Sequence, residues 1–231
     1  MKTVKNFFMM ALDIQLFADV TNTTGSNSSG NNVLFCPTVA SGTETAVTLR
    51  KNMNTTSQLT VKMIQKAVAT LKKNNVPTFN GDYVAIIHPY VAYDLQRDPE
   101  WIDAHKYAQP ENLFTGEIGK VAGVRFVEST EAKVWKDSDC PQKSAASGSD
   151  PATYYGVFST LVLGKNAYGV TEVTGGGLQT IVKPLGAGED PLNQRSTVGW
   201  KGILTAKILL EQNMVRIESV SAEWSGTVDA N

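Results

Sequence analysis

Histidine is nearly absent from this chain. There are two, His88 and His105, in 231 residues. Cysteine is as scarce: Cys36 and Cys140 stand far apart and neither belongs to a CxxC pair. A disulfide framework and a zinc cluster are therefore poorly supported, and a reducing compartment, or indifference to redox, is the better fit. Long apolar runs are missing too. No stretch reaches the roughly 18 apolar residues that a transmembrane helix needs, so no membrane partner is expected. The start, "MKTVKNFFMMALDIQLFADV", carries Lys2 and Lys5 before an apolar run, as a signal peptide does, but Asp13 cuts that run short of a usual h-region. Charge of one sign is also lacking: 21 basic residues face 22 acidic ones, for a net charge of -1. That balance excludes a whole-chain field drawing the protein to nucleic acid, and leaves only local patches. Familiar catalytic signatures are absent as well. There is no GxSxG, "VTGGGLQ" (173–179) lacks the lysine and hydroxyl of a phosphate-binding loop, and "TGEIGKVAG" has the wrong spacing for one.

What is present is enough apolar material, 42% of residues, for one well-packed domain or a domain with a smaller lobe. Residues 19–32, "DVTNTTGSNSSGNN", are small and polar and read as a flexible linker, which makes 1–32 an N-terminal arm plus linker and 33–231 the folded domain. In "SQLTVKMIQKAVATLKKNN" (57–75), Leu59, Met63, Ile64, Ala67, Val68 and Leu71 recur at helical spacing. Lys72 and Lys73 suit its last turn, and Asn75 with Pro77 stops it. "YVAII" (83–87) predicts a strand buried on both faces, with Pro89 holding His88 extended. A short helix follows, with Val91 and Leu95 on one face. Asp98-Pro99 then opens another, a capping residue followed by proline at the first helical position.

Beyond Glu117 the chain turns β-rich. "GVRFV" (123–127), "VFSTLVL" (157–163), "VTEV" (170–173) and "LQTIV" (178–182) are strand candidates. Residues 136–153 form a long polar loop and 183–196 a second one. "TVGWKGILTAKILLEQNMVRIESV" splits at Glu211-Gln212-Asn213 into two strands, the second alternating, that together suit an antiparallel hairpin. Trp200 and Arg195 are candidate interface anchors, although a tryptophan in an apolar sheet fits a core equally well. The class is α+β.

The densest polar stretch is "RDPEWIDAHKY" (97–107), and its geometry argues against catalysis. At about 100° per residue, His105 lies roughly 160° from Asp103 around the helix and nearly as far from Glu100. A catalytic trio needs its members within reach of one proton or one water. Asp98 and Glu100 suit a helix start, and Trp101 with His105 suits a packed side. No residue is assigned a catalytic, cofactor-binding or metal-binding role, and no cofactor is expected. Cys36 and Cys140 read as inert. A hydrolase using His88 or His105 with distant carboxylates is the weaker alternative.

Several runs in order carry a resemblance. They are "LTVKMIQKAVATLKKNNVP", "YVAIIHPYVAYDLQRDPEWIDAHKYA", "GEIGKVAGVRFVESTEAKVW", "STLVLGKNAYGVTEVTGGGLQTIVKPLG" and "DPLNQRSTVGWKGILTAKILLEQNMVRIESV", with "DIQLFA" near the start. Together they resemble the major capsid proteins of tailed bacteriophages, in the group related to the phage N-four capsid protein, over about 33–223. The resemblance implies the Hong Kong 97-like capsid fold: an axial domain, here about 59–182, and a peripheral domain, to which about 197–220 would return. It implies a structural virion protein rather than an enzyme. Copies of this chain or full-length subunits would form hexamers and pentamers of an icosahedral shell, with scaffold or portal proteins as further partners and packaged DNA touched only non-specifically. It would be made in the bacterial host cytoplasm and reside in the virion. Between "QLFA" and "NNVLFCP" only "DVTNTTGSNSSG" stands where the family carries its extended loop and spine helix. The chain therefore reads as internally shortened, a change that would uncover apolar surface. A non-shell virion interaction protein, or a capsid fragment that does not assemble, is the competing expectation. Loop 136–153 and the turn "GKNAYG" (164–169) are candidate subunit contacts.

Overall fold

A computed structural model describes residues 32–107, 119–143, 154–170, 179–185, 192, 194–203 and 206–230, with the backbone alone at 104–107. Residues 1–31 of the expected arm and linker (1–32), 171–173 of the expected strand 170–173 and 144–153 of the expected loop 136–153 lie outside the described residues.

A mixed sheet of seven strands forms the centre. Its members are β1 (Val33–Phe35), β4 (Tyr83–Ile87), β5 (Lys120–Val121), β6 (Val124–Glu128), β7 (Val134–Trp135), β8 (Val157–Leu163) and β13 (Met214–Val220). The order is β1-β13-β8-β4-β6-β5. β7 shares one edge of β8 with β4: it pairs Trp135 to Val157, while β4 pairs Val84 to Leu163 at the other end. β13 and β8 run antiparallel over seven residues each, all buried, so both faces of this part are covered. β1 joins β13 in parallel.

β4 and β6 are also parallel, so the chain between them must cross over. It does so through α2 (Pro89–Gln96) and α3 (Pro99–Tyr107). Both helices begin as the sequence predicts. His88 is extended and its Nδ1 accepts a bond from Tyr90 N–H at 3.2 Å. Asp98 serves two helices at once. Its Oδ1 accepts from Glu100 N–H at 3.1 Å, while its Oδ2 accepts from Val61 N–H at 2.8 Å. One carboxylate thus caps α3 and the first turn of α1 (Val61–Lys73), whose own Thr60 makes no side-chain cap.

α1 is shorter than the 57–75 span predicted, and Leu59 is buried just before it. The whole predicted stripe is buried. The helix closes with Asn75 in the left-handed region (φ 52), Asn75 N–H bonding Lys72 C=O and Val76 N–H bonding Leu71 C=O. Those are the two bonds of a Schellman motif, with asparagine where glycine is usual.

Three expectations change. β4 is buried on one face only; Val84 and Ile86 on the other are half-buried, because that face is only partly covered although β8 and β6 pair with both edges of the strand. The C-terminal hairpin does not form. A 3-10 turn at Glu211–Asn213 separates β12 (Ala206–Ile208) from β13 as expected, but β12 pairs with β9 (Tyr168–Val170), and β13 enters the central sheet instead. β11 (Thr197–Lys201) pairs with β10 (Gln179–Lys183) as a separate ribbon. Buried partners on β8 and β1 outcompete the sequence neighbour, since a ladder inside the core buries more apolar surface than an exposed hairpin. Finally, β2 (Thr38–Ala40) and β3 (Thr43–Thr45) form a small exposed hairpin not foreseen in the sequence.

The last residues strap the structure. Trp224 stacks on Tyr90 at 4.7 Å between centroids and meets Tyr93 edge-on. Gly156 N–H donates to Ser225 C=O at 2.6 Å and Lys136 Nζ to Val228 C=O at 2.8 Å.

Candidate functional site

His88, one of the two residues on which a hydrolase reading depends, is committed to structure. Its Nδ1 caps α2, and its ring packs on Phe158 at 5.0 Å and Tyr90 at 4.9 Å. Burial holds its pKa below the usual imidazole value. The side chain of His105 lies outside the described residues. Asp103 and Glu100 are exposed, whereas Trp101 is buried against Phe126. The helix geometry read from the sequence thus places Trp101 inward and both acids outward. Cys36 and Cys140 are free thiols in the interior. Burial, reinforced by the charge of Glu218, raises the pKa of Cys36, and burial pushes Cys140 up to about 12. Neither is a thiolate at neutral pH. Among the described residues, no group of three His, Cys, Asp or Glu side chains is placed to hold a metal ion.

The polar chemistry that the sequence did not reveal lies inside the sheet. Arg216 and Glu218, at i and i+2 on β13, share one face. Glu218 Oε2 accepts from Arg50 Nε at 2.7 Å and Oε1 from Arg50 Nη2 at 2.9 Å, a two-pronged pair. Oε1 also meets Arg216 Nη2 at 2.8 Å. Both guanidiniums lie over the Trp135 ring, at 4.1 Å and 5.0 Å from its centroid. All three charged groups are buried. Burial opposes the charge of each arginine. At Arg50 the hydrogen bonds and charge of Glu218 outweigh it and raise the pKa; at Arg216 burial prevails and lowers it. Arg and Glu two apart in a strand candidate were the available signal. Nothing local announced Arg50, which comes from 168 residues away.

This cluster is closed to solvent and holds no nucleophile paired with a base, so it fixes structure rather than performing chemistry. The candidate turn "GKNAYG" is likewise tied inward. Gly164 N–H bonds Asn213 C=O, Lys165 N–H bonds Pro77 C=O, and Asn213 Nδ2 donates to Lys165 C=O. What faces solvent instead is the β10–β11 ribbon, on which Trp200 stands half exposed.

The architecture is the Hong Kong 97-like capsid fold. A family model described as phage capsid protein matches residues 14–194. The chain belongs to this phage capsid protein family. Among solved structures, the capsid of the cyanophage P-SCSP1u is similar at 18% identity and TM-score 0.61, over 95% of this chain and 63% of that one. The head of Helicobacter pylori bacteriophage KHP40 matches at 13% identity and TM-score 0.56, covering 95% and 67%. The acid-stable capsid of Helicobacter pylori bacteriophage KHP30 matches at 12% identity and TM-score 0.55, covering 95% and 68%. This chain therefore spans about two thirds of the length of these capsid chains. Comparison with curated protein sequences finds no match. Among the described residues the longest helix has 13 residues, and no helix is long and apolar enough to cross a membrane.

Proposed function

We propose that this chain is a structural virion protein, a major capsid subunit of a tailed phage in the phage N-four-related group. It self-associates into the icosahedral shell that encloses phage DNA. The observation that carries this reading is a match to a capsid structure that covers 95% of the chain, in a sequence assigned to the phage capsid family over 14–194. The role is mechanical rather than catalytic. Stability of such a shell comes from many repeated interfaces, each burying apolar area. Partners are copies of this chain or full-length subunits, in hexamers and pentamers. Scaffold and portal proteins are further partners, and DNA is contacted through backbone charge alone. The protein is made in the host cytoplasm and resides in the virion.

Residues 59–182 form the axial-type unit in this reading. The seven-residue β8–β13 ladder favours adding 214–220 to it, rather than returning that strand to a peripheral unit with 197–201. A second reading, a virion interaction protein or a fragment completed by a longer subunit, draws support from length: the chain covers only 63% of the cyanophage capsid chain. Negative-stain microscopy with light scattering, on the purified chain alone and mixed with a full-length capsid protein of its phage, separates them. Shells or capsomers from the chain alone support the first reading. Incorporation only in the mixture supports the second. A strictly monomeric, well-folded species in both samples overturns both.

A further inference from the structure

Positive charge in this chain is concentrated in one stretch. Residues 45–81 hold six basic side chains and no acidic one: Arg50, Lys51, Lys62, Lys66, Lys72 and Lys73. The whole chain carries -1, so the remaining residues carry -7 against this +6. Arg50 is buried on Glu218, but the four lysines of α1 are exposed. The core packing of Met63, Ile64, Ala67, Val68 and Leu71 turns them outward. At about 100° per residue, Lys62, Lys66 and Lys73 fall within about 40° of one another, with Lys72 on the adjoining flank. The other exposed positions of α1 are Gln65 and Ala69, so the face has no large apolar side chain. Two acids meet the helix, both at its first turn. Glu44 pairs with Lys62, an exposed contact that a competing anion can displace. Asp98 commits its carboxylate to the Val61 and Glu100 N–H groups. Among the described residues, no carboxylate pairs with Lys66, Lys72 or Lys73.

We infer that the lysine face of α1 is the surface through which this chain contacts the phosphate backbone of duplex DNA. The contact rests on the capsid reading, in which the subunits enclose DNA, and gives that reading a DNA-facing surface. Charge, composition and length select DNA as the occupant. The face is of one sign, opposite to that of phosphate, and the -7 of the remaining residues disfavours DNA elsewhere on the chain. Protein interfaces have an apolar core and are depleted in lysine, whereas interfaces with nucleic acid are strongly positive. This face has the lysines without the apolar core. Lys62 and Lys73 stand about 16 Å apart along the helix, the length of about five successive phosphates of one strand. Lysine is a flexible point charge without the planar fork that reads a base edge, so the contact is independent of sequence.

The test uses the full chain and a fluorescent mixed-sequence duplex of about 20 base pairs, with binding read by anisotropy between about 50 and 200 mM salt. Three variants are compared with the wild type. One carries Lys62→Gln, Lys66→Gln and Lys73→Gln. The second carries arginine at the same three positions. The control carries Lys183→Gln and Lys201→Gln on the β10–β11 ribbon. Circular dichroism checks folding, and light scattering follows assembly separately. The expected wild-type Kd is micromolar at the lower salt, with log K falling linearly in log salt. The triple glutamine variant should bind about tenfold or more weakly, and its salt slope should be shallower by about 3. The arginine variant should bind like the wild type, and the control should change little. A glutamine variant with wild-type affinity and slope overturns the inference, as does an equal loss in the control. Assembly lost in the glutamine variant with DNA binding unchanged also overturns it, and gives the face to an acidic protein surface. A wild type that assembles but shows no measurable binding at the lower salt removes this surface and leaves the capsid reading intact. A wild type that binds DNA through this face yet never assembles, alone or with full-length subunits, removes the capsid reading and leaves the surface.

Discussion

Replacing Glu218 with glutamine keeps the shape of the side chain and removes its charge. In the wild type the carboxylate accepts three bonds, two from Arg50 and one from Arg216, at 2.7 to 2.9 Å, in a site where all three residues are buried. The single oxygen of glutamine can keep at most two of the three bonds, and without the carboxylate charge each is weaker by about 1 kcal/mol, a cost of about 2 kcal/mol. The amide NH2 of glutamine would also point a donor at a guanidinium donor, leaving at least one buried N–H unsatisfied at about 1 to 3 kcal/mol. Relief within the pocket will recover part of this, which places Glu218→Gln at about 3 to 5 kcal/mol destabilising, the range for a buried pair broken on one side. Urea unfolding followed by circular dichroism should show it. With a slope of about 2 kcal/mol/M, the midpoint would fall by roughly 1.5 to 2.5 M. Trp135 supplies a local probe, since both guanidiniums lie over its ring. The complementary variant replaces the triad with Arg50→Met, Arg216→Met and Glu218→Leu. It should be less destabilised than Glu218→Gln, because no buried charge is left uncompensated. A Glu218→Gln midpoint within about 0.3 M of wild type would refute the reasoning, as would a triple variant worse than the single one.

Further consequences follow from the caps, the turns and the buried imidazole. Asp98→Ala removes the cap of α3 and the acceptor for Val61 N–H together, and should cost about 2 kcal/mol by urea unfolding, with Asp98→Asn retaining most of the stability. Amide exchange should rise at both helix starts, around 61–63 and 99–102, although Val61 and Asp98 are 37 residues apart. A Cβ at Gly164 would stand 2.2 Å from Val76 Cγ1 and 3.3 Å from the Asn213 and Pro77 carbonyls, so Gly164→Ala should lower the melting temperature, by about 1 to 3 kcal/mol of strain. Burial lowers the His88 pKa from its ordinary 6.5, so the unfolded chain takes up its proton first as pH falls. Stability from this group is fully present above pH 6.5 and is lost as pH drops from there toward the folded pKa. His88→Asn keeps a capping side chain and should flatten that part of the stability–pH curve, which denaturation at a series of pH values would measure.

The helices were legible because their signals are local. The α1 stripe, the Asp98-Pro99 start and the Val91 and Leu95 face of α2 all depend on the spacing of residues that are near in sequence, and each is buried or capped as that spacing predicts. The strands β8 and β13 were legible as strands but not as neighbours. Pairing is a contest between distant segments, and β13 takes β8 and β1 rather than the sequence-adjacent β12 because only the central sheet buries it on both faces. The candidate site divides in the same way. Helical arithmetic was enough to separate buried Trp101 from exposed Asp103 and Glu100 within "RDPEWIDAHKY". Trp200 was marked as an anchor or a core residue, and nothing in the sequence chose between them. Exposure depends on what packs above the ribbon, which is a property of the whole chain.

By itself, then, the sequence determined the α+β class, the helix limits to within a few residues and, through its ordered series of matching runs, the capsid family. Those features are encoded in local spacing or in long stretches of similarity. Tertiary structure alone decided that Arg50 would cross the molecule to meet Glu218, that a polar-looking strand would become the core, and that the β10–β11 ribbon would be left facing solvent. Each of these outcomes turns on which distant surfaces exclude water together, and that free energy belongs to the folded arrangement and not to any short stretch of the chain.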